Sequence, residues 1–121
     1  MITLKVNVLG TDYEIIIKDY ESDPYFKKYN ADGYCCSIEK QIVLCNMLSH
    51  PDFDENETYA EKYKKQVLRH EIVHAFFNER GLENNTGVIN NIGWSKNEEM
   101  VDWIALQGLK LYDAWKSVGA I

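Results

Sequence analysis

The hydrophobic period changes once along this chain, from two residues to between three and four, and that switch limits the fold to a sheet followed by helices. Ile2, Leu4, Val6 and Val8 alternate with polar neighbours, Gly10-Thr11-Asp12 offers a turn, and Tyr13 to Lys18 reads as the returning strand. A polar connection containing Pro24 follows. Tyr34 to Glu39 and Ile42 to Met47 then read as a second hairpin around Lys40-Gln41. Beyond an acidic loop from His50, Thr58-Tyr59-Ala60-Glu61 has the form of a capping box, predicting a helix from about Tyr59 to Arg80, with Gly81 placed to end it. Residues 82 to 96 lack a sustained period and read as a loop. Ser95-Lys96-Asn97-Glu98 offers a second capping box, opening a helix that runs through Trp115 to near Gly119. The expectation is an α+β fold, a small antiparallel sheet of two hairpins followed by two long helices, in a single domain spanning residues 1–121.

Composition narrows the partners. A chain of 121 residues has room for one core, and 45% apolar with 26% charged residues is ordinary for a folded soluble domain. The net charge of -6 is spread along the chain without a basic stripe, which argues against nucleic acid as a partner. No apolar run reaches the roughly 18 residues that span a bilayer, and the amino terminus lacks the plan of a signal peptide, so the expected location is cytoplasmic, with no membrane partner. Cys35, Cys36 and Cys45 are odd in number and not spaced as a zinc site; they read as small buried hydrophobes, although a thiol near a metal is the alternative.

His70-Glu71-Ile72-Val73-His74 matches H-E-x-x-H. Residues four apart project from one face of a helix, so two imidazoles can grip one ion, and Zn2+ accepts neutral imidazole while leaving a position for water. Glu71 lies about 100° around the helix from His70, placed to act on that water without ligating the metal. The flanking Val67-Leu68 and Ala75-Phe76-Phe77 make the helix apolar on nearly every side, and burying two His and a Glu there costs several kcal/mol unless they are satisfied. A di-iron site would need a second Glu-x-x-His, which His50, the third histidine, cannot complete.

A third ligand must come from elsewhere. Arg80 stands where a metzincin has its third His, so a carboxylate is the natural choice. By helical phase Glu98, Asp102, Ala105, Leu109 and Tyr112 share one face that should pack inward, with Glu99 on the flank. Glu98 is the candidate ligand and Glu99 the alternative, while Asp102 could accept the second ring N–H of a ligating His. Against Glu98 stands its own capping box, since a Glu bonded to the Ser95 amide cannot also hold zinc tightly.

The helix with H-E-x-x-H followed by Asn97-Glu98-Glu99-Met100-Val101-Asp102 resembles the gluzincin arrangement H-E-x-x-H…N-E-x-x-x-D. Within that group, the short chain with a strand pair before the active helix looks most like the compact ImmA/IrrE-type domains of phages and mobile elements. The resemblance covers roughly residues 34 to 118. It implies Glu98 as third zinc ligand, Asp102 orienting a His, and an intracellular zinc-dependent enzyme directed at a regulatory protein. Many such domains lie beside a DNA-binding helix-turn-helix, which this chain lacks, and the His74 to Glu98 spacing exceeds that of thermolysin-like enzymes.

The expected activity is metal-assisted hydrolysis of a peptide bond in an intracellular protein or peptide, Glu71 moving the proton from the attacking water to the leaving amine. The substrate should pair with an exposed strand, in the segment Ile42 to Met47. Tyr34, Tyr112 and Arg80 are candidate donors to the oxyanion. The rival reading is a catalytically silent binding module or inhibitor acting through its groove. Substrate identity and oligomeric state are not encoded in these features.

Overall fold

A computed structural model describes residues 4–82 and 96–121. The fold is α+β, a four-stranded mixed sheet followed by two long helices. Strands β1 (Leu4–Val8) and β2 (Thr11–Asp19) form the first hairpin, with Val8 opposite Thr11 across a two-residue turn. Leu9 and Gly10 both take positive φ there, at 53° and 93°, as the tightest hairpin turns require, so the turn lies one residue earlier than Gly10-Thr11-Asp12. The Pro24 connection contains a short helix, α1 (Pro24–Tyr29), which was not expected. Asp23 caps it by accepting from the Tyr25 amide at 3.0 Å, and Pro24 stands in the first turn, where its missing N–H costs nothing.

The second hairpin joins β3 (Gly33–Cys36) and β4 (Gln41–Asn46), with Lys40 in a left-handed conformation at the end of its turn. Both hairpins are antiparallel, but β4 lies parallel to β2, so the sheet order is β1-β2-β4-β3 and the sheet is mixed, not wholly antiparallel. One consequence corrects an expectation: Ile42 to Met47 cannot receive a peptide strand, because β4 is interior, and β1 and β3 form the edges. Ile42, Val43, Leu44 and Cys45 are all buried, as befits a strand covered on both faces.

Helix α2 (Glu57–Glu79) lies against one face, where Val67, Leu68, Ile72 and Ala75 meet Tyr13, Ile15, Ile42 and Leu44. On the other face Phe26 of α1 covers Val43 and Cys45, beside Ile16 and Tyr34. The cap of α2 is Asn56, whose side chain accepts from the Tyr59 amide at 2.9 Å; the helix therefore starts two residues before Tyr59, and Thr58 is inside it. At the other end Leu82 N–H reaches Phe77 O at 2.9 Å and Gly81 N–H reaches Asn78 O at 3.1 Å, with Gly81 at φ 78°, a Schellman ending.

Helix α3 (Glu98–Ser117) has α2 as its main partner. It buries Val101, but Leu109 and Tyr112 are 73% and 44% exposed, so the inward face expected through Tyr112 stops short. A 20-residue helix resting on one other helix has apolar side chains left over on its free sides. The expected loop at 82 to 96 lies, save for its two end residues, outside the described residues, as does Ser95.

Two contacts fix α2 on the sheet. At Gly33 an added Cβ would stand 2.8 Å from Val67 Cγ1 and 3.1 Å from Val43 O, so only glycine allows β3 to come this close, three residues before His70. At the far end Glu79 Oε2 accepts from the Tyr13 hydroxyl at 2.6 Å and from Lys40 Nζ at 2.8 Å. Those donors hold the Glu79 carboxyl down at about 2.

Gly33→Ala should destabilise the fold by about 1–3 kcal/mol through overpacking, read as a lower urea midpoint; an unchanged midpoint would show that the approach is not tight. Because Glu79 is depressed from 4.5 in the unfolded chain to about 2, its contribution is complete above pH 4.5 and disappears as pH falls toward 2. The stability gap between wild type and Glu79→Gln should therefore be wide at pH 6 and narrow by pH 3, and a gap constant across that range would remove the clamp from the account.

Candidate metal centre

The stripe of α2 that faces the sheet passes through Leu68, Ile72 and Ala75, and Glu71 falls within it, one turn before Ala75. Glu71 is consequently 5% exposed. Burial pushes its carboxyl up to about 7; the charge of His70 acts in the opposite sense, while Glu98 and Asp102 add to the rise. His70 and His74 stand on the adjoining stripe, with side chains 19% and 12% exposed, turned from the core into a cleft of about 610 Å³ between α2, α3 and the edge strand β3.

Helix α3 begins at this cleft. Asn97 is its cap, its side chain accepting from the Met100 amide at 3.0 Å, which makes Glu98 the first helical residue. The capping box expected to occupy Glu98 is thus displaced, and its carboxylate is free to reach across to α2. Glu98 Oε2 lies 2.9 Å from His70 Nε2, and Oε1 lies 3.0 Å from His74 Nε2. The two Nε2 atoms are 3.1 Å apart. One turn further, Asp102 Oδ1 is 2.6 Å from His70 Nδ1. Glu99 is exposed and contacts neither histidine among the described residues.

The structure therefore brings together His70, Glu71, His74, Glu98 and Asp102, which are nearly thirty residues apart between the two helices. His70, Glu71 and His74 form a group whose geometry could hold a metal ion. The remaining sequence candidates scatter. Tyr34 borders the cleft but its hydroxyl donates to Asp23 Oδ2 at 2.5 Å, Tyr112 lies on the free part of α3, and Arg80 caps the distal end of α2. Cys45 is buried, and burial raises its thiol to about 11; Cys35 and Cys36 are half-buried, and Cys35 Sγ accepts from Asn78 Nδ2 at 3.8 Å on the cleft wall.

Sequence reasoning missed the wall opposite α2. Tyr25 and Tyr29 of α1, and Asp32 just before β3, face the same cleft. The Tyr25 ring stacks between Tyr29 and Tyr34, with centroids 4.4 and 4.1 Å away. Burial raises its phenol, and the charges of Tyr29, Glu71 and Glu98 act in the same direction, so the hydroxyl stays protonated. Asp23-Pro24, a capping residue followed by proline, was the local signal for the helix that carries it. Comparison with known protein families, with curated proteins and with solved structures finds no match.

Proposed function

We propose that this chain is a zinc-dependent peptidase of gluzincin type, with His70, His74 and Glu98 as metal ligands and Glu71 as the proton-transferring base. The observation that carries the reading is the mutual approach of two imidazole nitrogens and one carboxylate, at 2.9, 3.0 and 3.1 Å. With Glu98 as a carboxylate, protons satisfy that triangle less well than a cation does. With both Nε2 atoms protonated, Glu98 accepts twice but the two N–H groups confront each other; with one protonated, the other imidazole lone pair faces the carboxylate; with neither, all three contacts are between acceptors. A cation at the centre satisfies all three. Tetrahedral zinc with bonds of about 2.0–2.1 Å sets its ligand atoms about 3.3 Å apart, close to the spacing seen.

Asp102 supports the same reading. Its carboxylate at 2.6 Å takes the Nδ1–H of His70 and so leaves Nε2 as a bare donor to metal. A bound zinc ion would supply Lewis acidity to a scissile carbonyl and lower the pKa of water to about 7. Glu71 takes the proton from the attacking water and returns it to the leaving amine nitrogen. Its position in the core stripe holds that carboxylate rigidly and keeps bulk water away from it. Tyr25, whose hydroxyl makes no hydrogen bond among the described residues, is the phenol available to donate to the oxygen that gains charge. The peptide lies along β3, the edge strand bordering the cleft, where backbone groups can position an extended chain.

Metal analysis tests this first. Protein purified without chelator should hold about one zinc per chain, lost in His70→Ala and His74→Ala, whereas Glu71→Gln should keep zinc while peptide turnover falls by about 10²–10⁴-fold. Undiminished turnover in Glu71→Gln would remove the proposed base and favour a groove that merely binds. Glu98→Ala should weaken zinc binding by at least about tenfold, with Glu99→Ala unchanged; equal retention in both would exclude Glu98 as a ligand.

A further inference from the structure

The cleft continues past the histidines to an end with different chemistry. Toward the start of α2 the cleft is lined beyond His70 by Val67, Gln66 and Tyr63, so Tyr63 stands seven residues from His70, about 10 Å along the helix. Opposite Tyr63 is Asp32, whose main-chain carbonyl is fixed by the Cys45 amide at 2.9 Å. The Tyr63 hydroxyl donates to Asp32 Oδ2. Its other oxygen, Oδ1, accepts no hydrogen bond among the described residues. Asp23, the neighbouring acid, differs on both counts: it is 8% exposed, and it accepts from the Tyr25 amide, the Tyr34 hydroxyl and Lys18. Asp32 is half-buried, oriented by a phenol, and open to the cleft on one side.

We infer that the Asp32–Tyr63 end of the cleft is a subsite for a cationic side chain, an arginine or lysine of the peptide. Three features converge on that chemistry. The fixed carboxylate presents a free oxygen to a charged donor, and a charge-assisted bond of that kind is about twice as strong as a neutral one. The walls there include the rings of Tyr29 and Tyr63, aromatic faces attract cations, and an ammonium already lies over Tyr29, with Lys28 Nζ 5.3 Å from the ring centroid. The protein as a whole carries a net charge of -6, and among the described residues that line the cleft the carboxylates of Asp32, Glu98 and Asp102 outnumber the one lysine, Lys96.

Distance sets which residue is read. An extended peptide advances about 3.3 Å per residue, so the 10 Å from His70 to Tyr63 corresponds to about three positions. A long cationic side chain reaching along the cleft places the recognised residue two or three positions from the bond that is cut. As a statement about substrate this rests on the peptidase reading, but the subsite itself can be tested without turnover or metal.

The test is a nuclear magnetic resonance titration of the full chain with N-acetyl-arginine amide and its neutral isostere N-acetyl-citrulline amide, run with metal removed by chelator and again with zinc added. The arginine probe should shift the resonances of Asp32, Gly33 and Tyr63, and the citrulline probe, or the arginine probe on Asp32→Asn, should bind at least about tenfold more weakly. Equal binding of the two probes, shifts confined to other surfaces, no shift at all, or an Asp32→Asn variant that binds like wild type would each overturn the subsite. Zinc content, measured on the same samples, reports separately on the metal centre, so failure of one reading is distinguishable from failure of the other.

Discussion

Packing of α2 on the sheet puts a carboxylate in a position where the helix otherwise carries apolar residues. The stripe that packs Leu68, Ile72 and Ala75 against the sheet also carries Glu71, and rotating the helix to expose Glu71 would pull that whole row from the core. Burying the neighbouring apolar groups holds the helix against that rotation, and the desolvated carboxyl accommodates by titrating near 7 instead of near 4.5. The histidines follow from the same constraint. With Glu71 inward, residues one before and three after must lie on the adjoining face, and the close approach at Gly33 sets how near that face comes to β3.

Much of this was legible in local pattern. The change from alternating to helical spacing located the two hairpins and both long helices, and His70 and His74 fell on one helix face with Glu71 beside it, as their spacing required. What local pattern could not carry was long-range pairing. The parallel alignment of β2 with β4 joins segments almost thirty residues apart, and nothing within either strand names the other. A trace of it was nevertheless present, since Ile42-Val43-Leu44-Cys45 does not alternate, and four apolar residues in a row belong to a strand covered on both faces. Reading that run as a hairpin arm was right as far as β3 but left out its second, parallel neighbour β2, which makes the segment interior. Helix caps were misassigned for a different reason: Asn56 and Asn97, which cap the two helices, stand within two residues of Thr58 and Ser95, and all four side chains are of the kind that can cap.

The displacement of the second cap has a chemical consequence. As third residue of a capping box, Glu98 would turn back to its own backbone. As first residue of α3, it lies in the turn where the helix dipole favours an anion, and its side chain projects forward toward the histidines. Placement in the first turn and contact with His70 and His74 are therefore compatible, and Asp102 follows one turn later on the same face. The pattern of Asn97, Glu98 and Asp102 is thus a single geometric unit, a cap followed by two carboxylates, of which Glu98 reaches both histidines and Asp102 reaches His70.

That unit also accounts for how α3 is held. Among the described residues this helix buries Val101, while Trp103, Leu106 and Leu109 are 57%, 49% and 73% exposed, so apolar burial alone anchors it weakly. Its polar contacts are concentrated at its amino-terminal end, where Glu98 and Asp102 meet α2. Glu98 and Asp102 are themselves 65% and 59% exposed, whereas the histidines are mostly enclosed, so one half of the centre is rigid and the other is borne by a lightly packed element. Anything bound jointly by His70, His74 and Glu98 must therefore hold α3 to α2 as well, because a ligand that favours the docked arrangement stabilises it by its binding free energy. Docking of α3 and completion of the centre are in this sense one equilibrium, in which the contacts of Glu98 and Asp102 with the histidines add to the burial of Val101.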